Sequence, residues 1–187
     1  PWIFFSTCLS GGTTVIFGQQ EMVKKIYFPR EVLPISFVTS QFVNVLLSFV
    51  VILVVVFFNN IIIEPFAWLC LLLVMIIEYI LCLGITLISS ALTVYFRDLQ
   101  HILGIISMAW MYLTPVLYPV DTVPERFLNL FNLNPMTPVT IAYRDILYYG
   151  RAPHMNTLLS ATILGIIVLV IGKVAFSKLQ RGFAEEL

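Results

Sequence analysis

Residues 32–97 read VLPISFVTSQFVNVLLSFVVILVVVFFNNIIIEPFAWLCLLLVMIIEYILCLGITLISSALTVYFR and carry three charges, Glu64, Glu78 and Arg97. A helix that crosses a bilayer needs ~20 apolar residues, because ~30 Å of hydrocarbon is spanned at 1.5 Å per residue. Val32–Ile63 alone offers 32 uncharged residues, and Pro65 to Arg97 is interrupted by Glu78 only. Working outward, Pro1–Gln20 has 20 uncharged residues, Leu99–Val120 has 22 and Ala152–Gly172 has 21, the last two with one histidine each. These runs predict an all-α integral membrane protein with about five spans, near 2–18, 36–58, 66–91, 101–118 and 155–176.

Composition agrees. Of 187 residues, 60% are hydrophobic and 11% charged, against the ~25% charged of a typical soluble chain. Such a chain cannot cover a water-facing surface, and the same numbers exclude disorder. Ten Lys+Arg balance ten Asp+Glu, so no basic field or run points to nucleic acid. The chain begins at Pro1 without a basic leader, and an uncapped start inside an apolar run predicts that an upstream part is missing.

Orientation follows from the basic residues. If the segment after the first span is cytoplasmic, that side receives Lys24, Lys25, Arg30, Arg97, Lys173, Lys178 and Arg181, and the other receives Arg126, Arg144 and Arg151. Seven against three places the C-terminus inside and, with five spans, the N-terminus outside. Ser6, Thr7, Ser10, Gly11, Gly12, Thr13 and Thr14 interrupt the first span. Small and hydroxyl residues suit a helix packed against protein, the alternative being a loop that enters the membrane. Cys8, Cys70 and Cys82, odd in number and within apolar runs, read as free buried thiols.

Four segments depart from plain membrane helix. Residues 18–35, GQQEMVKKIYFPREVLPI, predict a short amphipathic helix at about 19–27, with Met22, Ile26 and Val23 on one side and Gln20, Lys24 and Tyr27 on the other. Pro29 and Pro34 close it. It is either a positive loop held at lipid headgroups or a docking element for a cytoplasmic partner. Residues 93–100, TVYFRDLQ, form another turn, where Arg97 and Asp98 cap helix ends or pair with each other. Glu78 is the acid in the interior of a span. At that depth it must be neutral or paired, and it serves either transport or packing, with Tyr79 or a nearby hydroxyl as partner. Residues 119–154 hold amphipathic pieces at about 123–131 and 137–149, separated by Asn134-Pro135. They read as a re-entrant helical hairpin before the last span, or as an aromatic belt lying flat at the interface. Trp110, Tyr112, Thr114, Pro115 and Tyr118 lead into it, a set that suits sugar rings and membrane interfaces equally.

No GxxxxGK[ST], HExxH or GxSxG occurs, and His101 and His154 fall near opposite membrane faces, so no metal or catalytic constellation is in sight.

PWIFFS at 1–6, KKIYFPREVLP at 24–34, YFRDLQHI at 95–102, MYLTPVLYPVDTVPE at 111–125 and LNPMTPV at 133–139 occur in that order. Together they resemble the membrane subunit of ABC-2 type exporters, in the branch that exports O-antigen, capsule or teichoic acid. The resemblance implies one ABC-2 type transmembrane domain over 1–187, lacking its interface helix and the first of six spans. It implies a homodimer in the bacterial cytoplasmic membrane, with two ATPase subunits and a lipid-linked polysaccharide as substrate. This chain would bind no cofactor, ATP and magnesium belonging to the ATPase. Carried over by position, Gln20, Glu21, Lys24, Lys25, Tyr27, Phe28, Pro29, Arg30 and Glu31 form the coupling helix and its exit. Residues 121–149 resemble outer gate helices, so Trp110, Tyr112, Pro115, Tyr118, Phe127, Phe131, Asn134, Pro135 and Tyr143 become pathway or gate residues. Glu78 maps onto no family motif. Competing readings are export of a drug or small lipid by the same architecture, a multi-pass enzyme acting on lipid-linked sugars, and a membrane scaffold.

Overall fold

The structure, a computed structural model, describes residues 1–25, 28–59, 63–119, 131 and 133–183. Tyr27, Phe127 and the expected piece at 123–131, apart from Phe131, lie outside the described residues, as do the side chains of Lys24 and Lys25. Among the described residues every regular element is helical: α1 Trp2–Phe17, α2 Gln20–Lys25, α3 Val32–Phe58, α4 Pro65–Tyr95, α5 Leu99–Leu113, α6 Met136–Leu147 and α7 Met155–Leu179, closed by a 3-10 turn at Gln180–Gly182. The reason is the solvent. Hydrocarbon offers no partner for a backbone N–H or C=O, and a helix satisfies its own.

Three helices are long and apolar enough to cross a membrane, Val32–Phe58, Pro65–Tyr95 and Met155–Gly182, while Trp2–Phe17 and Leu99–Leu113 are shorter apolar helices. α1 matches the run expected at 2–18 to within a residue, whereas α5 ends short of the expected 118. For α5 the cause is local. Pro115 disfavours helical backbone at the residue before it, and Thr114 is extended with φ −110° and ψ 134°, so the helix stops at Leu113 rather than near 118. Pro34, expected to close a helix, instead lies in the first turn of α3, where the N–H it lacks would have no intrahelical partner.

α4 is the central helix, with buried side chains from Ala67 to Val94. α3 and α7 bury few residues and turn Val50, Val51, Val54, Phe57, Ile163 and Val170 outward, faces that suit acyl chains. The closest contact is between α4 and α7. A Cβ built on Gly84 would lie 2.6 Å from the Leu169 nitrogen and 2.7 Å from its Cα, and one on Gly172 would run into the Gly84 carbonyl. Small residues that let backbones touch are the usual means of helix association in lipid. α1 is tied to α4 by the Thr86 hydroxyl, which donates to the Cys8 carbonyl at 3.1 Å. Cys8, Cys70 and Cys82 are free and buried.

α6 is inserted into this bundle rather than laid on its surface. Met136, Thr137, Pro138, Val139, Thr140, Ala142, Tyr143, Asp145 and Ile146 are buried, and the helix packs on α4 and α7. Its 12 residues reach about 18 Å, too short to cross, as the re-entrant reading requires. Two clusters of buried side chains result, one through the middle of the bundle and around α6, the other at the end where α1, α2 and the termini of α4 and α7 meet.

Candidate functional site

At that second end the chain leaves α1 through Gly18 and Gln19 and enters α2. The Gly18 N–H donates to the Thr14 carbonyl at 2.7 Å, and the Val23 N–H to the Gln19 carbonyl at 3.1 Å. Val23 is buried among Ile16, Leu33, Leu87, Val94 and Phe176, while Glu21 is exposed and Gln20 half-buried. A six-residue helix is far too short to hold itself together; the anchored Val23 fixes it to the bundle. Phe28 packs against the same cluster, Pro29 is exposed and Glu31 is half-buried. Arg30 turns inward: its guanidinium donates to the Gln180 carbonyl and lies 5.9 Å from the centre of the Phe183 ring. Arg97 stacks over Phe17 at 5.1 Å. It does not pair with Asp98, and Asp98, at the N-cap of α5, makes no side-chain capping bond.

Between α1 and α5 runs an open groove of about 480 Å³, lined by Ser10, Gly11, Thr14, Gln100, His101, Gly104, Ile105 and Met108. Its polar side chains are Ser10 and Thr14 from α1 and Gln100 and His101 from α5.

The opposite end is held by polar contacts between α6 and the end of α5. The Asn134 amide donates to the Leu113 carbonyl at 3.1 Å and to the Thr114 hydroxyl at 2.8 Å, and its Oδ1 accepts from the Met136 N–H at 3.0 Å. Arg144 donates to the carbonyls of Pro115 and Val116, at 2.9 and 3.3 Å. Tyr118 donates to the Tyr112 carbonyl at 2.6 Å and meets Phe131 edge-on at 6.3 Å. Arg151 donates twice to Oδ1 of the buried Asp145, at 2.9 and 2.7 Å. Those bonds, and then the Asp145 charge, raise the Arg151 guanidinium above its ordinary pKa.

The structure thus brings Pro115, Tyr118, Phe131, Asn134 and Pro135 into one junction. Trp110 is apart from them, edge-on against Phe5 at 5.5 Å, and the Tyr112 ring faces outward. It also joins two residues that the sequence treats separately: Tyr143 on α6 donates to Oε2 of Glu78 on α4 at 2.7 Å, both buried. Tyr79, one of the partners expected for Glu78, instead shares a hydrogen bond with Thr39 at 3.0 Å. Oε1 of Glu78 has no partner among the described residues.

A Tyr143→Phe substitution should therefore lower stability in detergent by about 1 kcal/mol, the size of an interhelical hydrogen bond in a membrane protein. Glu78→Gln keeps an acceptor for Tyr143 and should change thermal unfolding and transport little. A large loss of transport in Glu78→Gln with assembly intact would give the acid a role that this bond does not explain.

Arg144, Asp145, Arg151 and the Gly84–Gly172 pair are the residues that sequence reasoning passed over. For the charged residues a signal was present, an Arg-Asp pair followed six residues later by Arg in an otherwise apolar stretch; the glycine pair, 88 positions apart, carried none.

Residues 1–148 match the ABC-2 type transporter family. The O-antigen export system permease protein RfbA of Myxococcus xanthus is 32% identical over 195 residues, covering all of this chain and 72% of that protein. Its counterpart of the same name in Klebsiella pneumoniae is 31% identical over 189 residues, with the same coverage. Matched by the family over most of its length and by these permeases over all of it, the chain belongs to the ABC-2 type transporter family of membrane proteins.

Proposed function

We propose that this chain is the permease subunit of an ATP-driven exporter of lipid-linked polysaccharide, working as a homodimer on two cytoplasmic ATPase subunits. The observation that carries the reading is α2. A short charged helix, fixed to the bundle by Val23 and presenting Glu21 outward, is what a lever between a soluble motor and a membrane domain requires. The similarity to O-antigen export permeases supports a polymer as the substrate rather than a drug or small lipid.

Topology supports the same orientation. α2, Arg97 and the C-terminal ends of α4 and α7 share one end of the bundle, and Lys173, Lys178 and Arg181 lie on the last turns of α7 and beyond. Basic residues mark the cytoplasmic face, so this end and the C-terminus are inside, in the bacterial cytoplasmic membrane. α6 and the junction around Asn134 then lie at the outer mouth.

In this mechanism ATP and magnesium bind the ATPase, whose two copies close and displace α2. The two permease halves separate, and the glycan passes between protomers along α5 and the groove that α5 makes with α1, whose polar side chains are Ser10, Thr14, Gln100 and His101. Stacking on aromatic faces such as Tyr112 and weak hydrogen bonds from hydroxyls let a sugar chain slide without being held. The chemistry belongs to the ATPase; this chain supplies the path and the coupling.

Charge reversal, Lys24→Glu with Lys25→Glu, should reduce co-purification of the ATPase by about tenfold or more, as loss of a charged contact pair does, with membrane insertion unchanged. Wild-type recovery of the ATPase would contradict the assignment of α2. In proteoliposomes holding the whole complex, outward movement of a polyprenyl-linked glycan should require ATP. Export of small amphiphiles without any such glycan would favour a drug or lipid exporter instead.

A further inference from the structure

The last carbonyls of any helix lack intrahelical donors. At the end of α7 two of them are taken up by side chains from elsewhere in the chain. The Tyr95 hydroxyl, at the end of α4, donates to the Leu179 carbonyl at 2.8 Å. The Arg30 guanidinium, at the exit of α2, donates to the Gln180 carbonyl, where the helix dipole also favours a cation. Phe183 closes the arrangement. It is fully buried, edge-on to Phe176 at 5.6 Å, tilted against Tyr95 at 6.3 Å and covered by Arg30. Gly182 lies so close to the Tyr95 hydroxyl that a Cβ there would displace it.

By its place in the sequence Arg30 belongs with the residues expected to face the ATPase. Its side chain is also engaged within the chain, at the end of α7. We infer that Arg30 is a positioning residue: with Tyr95 and Phe183 it clasps the exit of α2 to the ends of α4 and α7, so that displacement of α2 moves the last span. Because α6 rests on α7 and α4, the same motion reaches the junction at the far end. The inference rests on the reading of α2 as the element that meets the ATPase.

The test uses the full permease–ATPase complex, with two readouts kept apart: ATPase recovered per permease, and glycan exported per ATP hydrolysed in proteoliposomes. Arg30→Ala and Tyr95→Phe should retain the ATPase at the wild-type ratio and keep hydrolysing ATP. Export per ATP should fall by roughly fivefold or more, the size of a typical coupling between sites. Loss of the ATPase from Arg30→Ala would make Arg30 a docking contact and overturn the clasp; so would wild-type export per ATP in both variants. Should Arg30→Ala fail to assemble, Tyr95→Phe, which keeps its ring packing, decides alone: reduced export per ATP supports the clasp, and wild-type export removes it. Lys24→Glu with Lys25→Glu serves as the separate control. If that variant keeps its ATPase, the reading of α2 itself fails, whatever the clasp variants do.

Discussion

Gly172→Leu should leave the chain unable to assemble as a monodisperse membrane protein, with a loss of about 3 kcal/mol or more, the upper range for overpacking. The Cβ alone would run into the Gly84 carbonyl, and the reciprocal Cβ on Gly84 would meet the Leu169 nitrogen at 2.6 Å and the Val168 carbonyl carbon at 2.7 Å. These are backbone atoms, so no rotamer change relieves the overlap and the helices must separate. α4 and α7 share the most extensive helix contact in the bundle, and packing rather than solvent exclusion holds helices together in lipid. Separating them loosens Leu81 and Ala161, both buried in the central cluster, and the seat of α6. Ile171→Leu, one position away on an outward face, is the control and should behave as wild type. Size-exclusion profile and thermal midpoint in mild detergent check both.

Asn134→Ala should cost about 1–3 kcal/mol, because it orphans the buried Met136 N–H instead of merely deleting a contact. The Met136 N–H loses its acceptor and the Leu113 carbonyl its donor. The Thr114 hydroxyl is affected less, since it still donates to the Trp110 carbonyl at 3.0 Å. The functional effect should be larger than the stability loss implies, because Asn134 and Arg144 are what tie α6 to the end of α5. With Asn134 gone, the outer mouth should leak between ATP cycles. Leu133→Ala, on an exposed neighbour, should stay within about 0.5 kcal/mol of wild type. Thermal unfolding and ATP-independent glycan leak in proteoliposomes separate the two consequences.

What the sequence made legible was set by local physics. Charge-free runs locate the long helices α3, α4 and α7 within a few residues, and the Asn134-Pro135 break marks where α6 begins. The short α2 follows from its charge cluster and from Pro29 after it. Where prediction missed, the deciding event was either a proline or a distant partner. Pro115 ends α5 early, and Pro34 proved compatible with a first turn. Glu78 and Tyr143 are 65 positions apart, and nothing in helical periodicity pairs them. The contact of Arg30 with the end of α7 depends on the Gln180 carbonyl, 150 positions away, which no local pattern around Arg30 announces. Gly84 and Gly172 show the same limit: each looks like an ordinary membrane glycine until the two backbones meet.

In the proposed function this chain is the membrane half of a transport machine whose motor is a separate protein. Purifying the full-length chain in mild detergent from its native host, and identifying what remains bound at fixed stoichiometry, tests that most directly. A nucleotide-binding subunit with a phosphate-binding loop is expected, present at one copy per permease and released by Lys24→Glu with Lys25→Glu. Its reproducible absence, under conditions that keep other membrane complexes intact, would rule out a separate motor and return attention to Glu78 and an enzymatic role.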